Sequence, residues 1–446
     1  MTVASAGETR RPFSLRTLSR DANWLALAGP ALIFTAHGLY GAMLPQASLS
    51  VALAAAILAG ACLTSPTLRN ELSRVRGLTL PAFLFAAVIL VALWSLTPLV
   101  PGGPHPIWAY LQVTPGAATV DKSITTLEIV KLLALGCVFM LGIMTGGSDA
   151  RARLAIDLLL LLGAALALWS VFAFVGGMGS AASRLEGPFL SANTAATLFG
   201  SMLALCLGPA VSRFRSGQIR NRRADLAPYG AAALIFLVCL LMTASRGGFA
   251  AAAAGLATFG VLQIVDGRAR LSRVTALALI GLGIVAVLFV TAGDLLLARL
   301  FEQGWDLEGR RIVFDVHWDA FRKAPLMGYG LGSFDTVNRT LLDAGNMRDI
   351  WTVRAAHNVY LSWLEQGGLL AAVPMFGCVA TLMIATFRNA LRRSRMKAIL
   401  FALLAADVVI LVHGATDFAL EMYSMAVFFS YLLGLQFRVA QGSSRR

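Results

Sequence analysis

Apolar stretches of roughly 17–25 residues recur along almost the whole chain, and nothing else in the sequence constrains the fold as tightly. Twelve can be counted, at approximately 24–44, 48–64, 78–98, 126–146, 154–176, 193–211, 226–244, 247–265, 274–293, 359–385, 398–416 and 422–437. In lipid every backbone N–H and C=O must be satisfied within the segment, so stretches of this kind are helices. Composition agrees: 58% of the 446 residues are hydrophobic and 13% charged, against about 25% charged in a soluble domain. Such a chain cannot cover itself with polar surface in water. The sequence predicts an all-α polytopic membrane protein with about twelve transmembrane helices.

The net charge of +14 would suggest nucleic acid in a soluble chain, but its distribution is that of the positive-inside rule. With a cytoplasmic N-terminus the inside segments are 1–23, 65–77, 147–153, 212–225, 266–273, 386–397 and 438–446. They hold 25 of the 37 basic residues. Of the other 12, 8 sit in one loop, 294–358, beside 9 acidic residues, and long loops barely count in the rule. The basic charge is therefore topological, and no nucleic-acid partner is expected. The organisation expected is a cytoplasmic tail at 1–23, helices 1–9 over 24–293, an outside loop domain at 294–358, helices 10–12 over 359–437 and a cytoplasmic tail at 438–446. The first apolar stretch is followed at once by the second, so it reads as a retained helix and not as a signal peptide. The loop is far longer than a connection needs. Its stretch Arg310–Lys323 has Val313, Val316, Ala320 and Phe321 near helical spacing, and the turn Pro325–Ser333 is rich in glycine. A small helical cap on the outer face is predicted. The five cysteines (Cys62, Cys137, Cys206, Cys239, Cys378) all lie in apolar stretches, where they read as packing residues and not as a disulfide framework.

Four constellations fall at the outer surface in this topology: Arg184-Leu-Glu-Gly-Pro-Phe-Leu-Ser-Ala-Asn193, the turn Thr243-Ala-Ser-Arg246-Gly-Gly248, Gly309-Arg310-Arg311, and Ala356-His357-Asn358-Val-Tyr360-Leu361. Arg246 stands in a turn almost too short to need a charge, and the two glycines after it let another group approach the backbone. It reads either as an arginine snorkelling to headgroups or as a ligand for an anion. Arg184, with Glu186 nearby, poses the same choice, and Asn193 reads first as the N-cap of the sixth span. Arg310 and Arg311 read as a solvated helix face or as anion ligands. His357 lies where the polar loop enters the membrane, and reads as a packed or capping histidine or as a reactive one. His37 and His413 lie within spans and His105 in a loop, none with partner residues nearby in sequence. Asp315-Val-His317-Trp-Asp319 superficially suggests a metal site, but on a helix His317 points away from the face shared by the two aspartates. No metal site is expected. Asp407, deep in a span, reads as a hydrogen-bonded structural group.

Together the four elements resemble the O-antigen ligase and O-antigen polymerase superfamily, which also contains bacterial O-linked protein oligosaccharyltransferases. The pieces that carry the resemblance are the run from Arg184 to Asn193, the Ser245-Arg246-Gly247 turn, and a block that opens at Gly309-Arg310. That block passes through Pro325, Gly328, Gly330, Gly332 and Phe334 and closes at His357-Asn358 with Tyr360-Leu361. Phe314 stands where the family usually has Trp. The resemblance implies a GT-C-like, metal-independent, inverting glycosyltransferase of the bacterial inner membrane, without a cofactor, whose active site lies on the periplasmic face. Residues 294–358 would then be a periplasmic loop domain. The donor implied is a glycan on undecaprenyl pyrophosphate and, in the ligase reading, the acceptor is lipid A-core oligosaccharide. Polymerase and protein oligosaccharyltransferase are the alternatives within the superfamily. The roles implied are catalytic for His357, Arg246 and Arg310, and substrate-binding for Arg184, Arg311, Asn358 and Tyr360. Guanidinium groups suit a pyrophosphate leaving group because they stabilise phosphate charge without a metal, although with 33 Arg and 4 Lys in the chain arginine identity alone says little. A transporter would place its polar groups near the midplane, often with internal repeats; here they cluster at one face.

Overall fold

The computed structural model describes residues 24–177, 184–215, 222–267 and 304–442. The expected tail at 1–23, the expected span at 274–293, residues 294–303 of the long loop and 443–446 lie outside the described residues. Among the described residues every regular element is helical. The first part of the bundle comprises α1 (Leu25–Gly38), α2 (Pro45–Thr64), α3 (Pro66–Ser73), α4 (Thr79–Ser95), the single turn α5 (Ile107–Tyr110), α6 (Lys122–Thr145) and α7 (Asp149–Val175). Then come α8 (Ala192–Arg215), α9 (Arg222–Met242) and α10 (Arg246–Val265). The long loop contributes α11 (Gly304–Lys323), α12 (Phe334–Thr340) and α13 (Met347–Ile350), and the chain returns through α14 (Val359–Arg392), α15 (Lys397–Gly414) and α16 (Tyr423–Ala440).

Eight of these, α2, α6 to α10, α14 and α15, are long and apolar enough to cross a membrane; α1 and α4 are apolar but shorter. The chain is a multi-pass helical membrane protein. Its outward faces are what lipid requires: Leu53 and Ile57 on α2, Phe83 and Leu90 on α4, and Leu161 and Phe172 on α7 are exposed. Helices α8, α15 and α16 are buried over most of their length. Lipid supplies no hydrophobic drive between helices, so close packing of small residues holds them together. A Cβ at Gly208 of α8 would stand 2.9 Å from the Ala402 methyl of α15, and one at Gly142 of α6 would strike the α16 backbone at Tyr431 and Leu435.

One end of the bundle is closed by ion pairs. Arg151 reaches Glu71 at 2.6 Å, Arg393 reaches Asp149 at 2.7 Å, and Lys397 reaches Asp266 at 2.6 Å. The four sequence constellations lie at the other end.

Helix α14 is broken at Gly368, whose φ of 58° and ψ of −175° are not helical. The break frees backbone groups, and the glycine-rich turn after α11 takes them up. Tyr329 N donates to the Glu365 carbonyl at 3.0 Å and Gly330 N to that of Gln366 at 2.8 Å, while Leu369 N donates to the Pro325 carbonyl at 2.8 Å. A Cβ at Gly330 would run into the Thr119 side chain, so only glycine passes there. The same region buries His317. Its Nδ1 lies 2.7 Å from Glu365 Oε1 and its Nε2 3.1 Å from Asn338 Oδ1. The Asn338 amide donates to the carbonyls of Ile350 and Val353, which turns its oxygen to the ring and makes Nε2 a donor. The imidazole ties α11, α12 and α14 together, and no cluster of metal-ligating side chains occurs among the described residues.

Candidate functional site

Two of the constellations form one braced unit. The Arg184 Nε donates to the Thr243 carbonyl at 2.8 Å and its Nη2 to Asn193 Oδ1 at 3.1 Å. Ser245 Oγ donates to the same Asn193 oxygen at 2.8 Å and accepts from Gly248 N at 3.2 Å, so Ser245 is the N-cap of α10. Asn193 is therefore not the cap expected from the sequence. It lies inside the first turn of α8, where Ser191 accepts from Thr194 N, and it joins the run 184–193 to the turn 243–248. Arg246 follows the cap directly and is exposed. It stands at the N-terminus of a long helix, where backbone N–H groups and the macrodipole favour an anion.

The turn at 243–248, Arg310 and His357 meet at a segment outside the four constellations, His413-Gly-Ala-Thr-Asp417, at the end of α15 and before α16. A Cβ at Gly247 would stand 3.0 Å from both His413 Nε2 and Thr416 Oγ1; glycine there lets the start of α10 rest against the end of α15. Arg310, on α11, donates from Nη1 to the Thr416 carbonyl at 3.1 Å. His357 Nδ1 lies 3.8 Å from Asp417 Oδ1, and its ring stands edge-on to Phe418 with centroids 5.0 Å apart. Contrary to its isolation in the sequence, His413 has a partner: its Nδ1 lies 2.6 Å from Thr197 Oγ1 of α8.

The His357–Asp417 pair is the most chemically loaded contact at this end. The Asp417 side chain is 0% exposed and that of His357 29%. Neither carboxylate oxygen of Asp417 nor Nδ1 of His357 has a hydrogen bond, an arrangement costly to keep buried. His357 has a φ of +52°, a left-handed conformation that non-glycine residues rarely adopt and that costs energy to hold. Leu190 and Ala244 share it, so three of the four constellations contain one such residue. Four residues beyond Asp417, the Glu421 carboxyl accepts from Ser362 Oγ at 2.5 Å. Burial pushes it up to about 7; the carboxylates of Asp417, Glu128 and Glu365 add to that, and the Ser362 bond opposes it.

The remaining residues singled out from the sequence sit less centrally. Arg311 turns outward, 83% exposed and 3.7 Å from Asp315 one turn along; it is not brought to the other arginines. Asn358 caps α14, its Oδ1 accepting from Tyr360 N and Leu361 N at 3.0 Å each. Tyr360 donates its hydroxyl to the Leu411 carbonyl at 2.8 Å, which ties α14 to α15. Asp417 is the residue the sequence reading missed. The available signal was weak: His413 and Asp417 are two ionisable residues four apart at the end of an apolar stretch.

Residues 231–376 match a family model described as O-antigen ligase. The match covers about a third of the chain and supports the resemblance to the O-antigen ligase and polymerase superfamily. The matched segment contains Arg246, Arg310, His357, Asn358 and Tyr360; Arg184 and the segment 413–417 lie outside it. No curated protein matches the chain. That family is one of glycosyl-transferring enzymes of the ligase or polymerase kind.

Proposed function

We propose that the protein is an O-antigen ligase of the bacterial inner membrane. It would transfer a polysaccharide from undecaprenyl pyrophosphate to lipid A-core oligosaccharide at the periplasmic face, by a single metal-independent displacement that completes lipopolysaccharide. The observation that carries this reading is the meeting of Arg246, Arg310 and His357 around residues 413–417. Arginines and a histidine backed by a buried carboxylate converging on one short segment support a site for a pyrophosphate leaving group and a hydroxyl nucleophile.

In this mechanism the donor pyrophosphate lies against the N-terminus of α10, facing Arg246 and Arg310. The Asp417 carboxylate accepts from His357 Nδ1–H, which leaves the Nε2 lone pair for the acceptor hydroxyl. A separation of 3.8 Å is long for that bond, and such contacts commonly tighten only with substrate bound. The acceptor oxygen bonds to the anomeric carbon as its proton passes to Nε2. The bond from that carbon to the pyrophosphate oxygen breaks, and its electron pair stays on the phosphate, where the guanidinium groups stabilise it. Water then takes the proton from the imidazolium. Arg184 and Asn193 hold the α10 turn in place, and Asn358 and Tyr360 fix the start of α14.

Purified protein given both lipid substrates tests the reading. Losing a charge-assisted contact costs about 1.5–3 kcal/mol, so Arg246→Ala should lose about 10- to 100-fold in kcat/KM, and Arg246→Lys should recover little because a point charge lacks the bidentate fork. His357→Gln should lose turnover and keep donor affinity. Normal turnover in His357→Gln with weakened donor binding would make His357 a phosphate ligand. A deletion strain separates ligase from polymerase: loss of a ligase leaves polymerised glycan on its lipid carrier, whereas loss of a polymerase leaves short caps on the core.

A further inference from the structure

Beside the arginine cluster the bundle holds a cavity of about 870 Å³ between α4, α6, α14 and α16. Its walls are apolar over most of their area, and on α6 they run from Glu128 to Ile143. At 1.5 Å per residue that is about 22 Å of depth, more than the ~15 Å of one leaflet. At the site end the lining turns polar. Lys131 pairs with Glu128 at 2.6 Å, Arg354 pairs with Asp335, and Ser362 and Glu421 share their hydrogen bond beside Trp363 and Gln366.

The end of α15 stands between this cavity and the arginines. On one side His413 touches Thr197 of α8 and approaches Gly247 of α10. On the other, a Cβ at Gly414 would meet Val359 of α14 at 3.7 Å, and both Gly414 and Val359 line the cavity. None of Arg184, Arg246 and Arg310 lines it. A single displacement requires the nucleophile to approach the anomeric carbon from the side opposite the leaving group. With the pyrophosphate on the α8 and α10 side, the acceptor must come from the α14 side, where Val359 and Tyr360, just after His357, line the cavity. Both cations of its rim are already paired, so the rim suits sugar hydroxyls and a sugar face over an aromatic ring better than it suits a diphosphate.

We infer that this cavity is the acceptor site, and that the acceptor is a glycolipid whose acyl chain lies between α4, α6, α14 and α16 while its sugars cross the rim formed by Ser362, Trp363, Gln366 and Glu421. The inference rests on the transferase reading above and adds which side of the site the second lipid uses.

The test offers the purified protein an undecaprenyl-pyrophosphate-linked glycan with two acceptors, lipid A-core and the same core oligosaccharide stripped of its acyl chains. The wild type should favour the acylated acceptor by at least about tenfold in kcat/KM. Gly136→Leu on α6 and Ala426→Phe on α16 both add side-chain volume to the lining of the cavity. Each should bring that preference close to one by raising KM for the acylated acceptor, while binding of undecaprenyl pyrophosphate reports that the variants are folded. Equal use of both acceptors by the wild type overturns the inference, as does a preference that survives both fillings. Loss of undecaprenyl pyrophosphate binding in both variants overturns it too, since the cavity would then hold the donor's chain. A wild type that transfers to neither acceptor overturns the ligase reading and this inference with it.

Discussion

A carboxylate buried without a hydrogen bond, as Asp417 is, is retained against the cost of desolvating its charge. The imidazole of His357, whose Nδ1 stands 3.8 Å away, is the nearby group able to donate to it. In the proposed mechanism the carboxylate fixes which nitrogen of His357 carries the proton, so removing the charge should act on turnover and not on donor binding. Asp417→Asn keeps the shape and presents an amide that can hold the wrong tautomer. It should lower kcat about 100-fold, within the usual range for general-base catalysis, and leave the donor's Kd within about twofold. Steady-state kinetics alongside equilibrium binding of undecaprenyl pyrophosphate would check this; a loss confined to binding would assign Asp417 to packing. At this scale the sequence was legible only in part. His357, Arg246 and Arg310 stand out because polar residues at helix ends in an apolar chain are few. Asp417 sits among Ala, Thr and Phe with only its spacing from His413 to mark it, and its place beside His357 exists only once α14 and α15 have been packed together. Arg311 shows the converse: adjacent to Arg310 in sequence, it is turned outward by the helix that carries both.

Elements were more legible than contacts, because helices in lipid follow from hydropathy alone. Eleven of the twelve apolar stretches meet a helix, and the twelfth lies outside the described residues. The break of α14 at Gly368 was not legible. Hydropathy runs straight through it, and the break is stable only because the backbone of 325–330, distant in sequence, supplies the missing hydrogen bonds. The same helix is tied to the turn before α16 by Ser362 and Glu421, and this tie carries a pH dependence. Glu421 is held at about 7 against an ordinary 4.5, so the folded protein retains a proton that the unfolded chain gives up. Its contribution to stability is complete below about 4.5 and is lost as pH rises through about 7. Thermal unfolding in detergent should therefore show a Tm that falls between pH 5 and 7.5. Glu421→Gln, which is neutral throughout, should flatten that part of the curve; an unchanged slope would assign the dependence to other groups.

For the molecule as a whole, the two ends of the bundle differ in kind. At one end the arginines and the lysine make short ion pairs across α3, α7, α10 and the turn between α14 and α15. At the other end stand the arginine cluster, the buried carboxylates and the helices of the long loop. The segments that meet at the first end include five of the seven that give the 25-residue share of basic charge, so the bundle groups in space what the charge count groups in sequence. On the positive-inside rule the proposed orientation puts that end in the cytoplasm and the site in the periplasm. The lipid-linked donor of the proposed function, presented in the outer leaflet with its pyrophosphate at headgroup depth, would need the same orientation. Thr340 and Arg395 are both exposed, one at each end, and the native cysteines all lie within helices, four of them buried. A single added cysteine at position 340 should react with a membrane-impermeant maleimide in intact cells whose outer membrane has been permeabilised. One at position 395 should react only after the inner membrane is opened. The reverse pattern would turn the bundle over, and with it every assignment that depends on a periplasmic site; reaction at both positions in intact cells would mean that the reagent had crossed the membrane, which a cytosolic thiol protein monitored in the same cells would reveal.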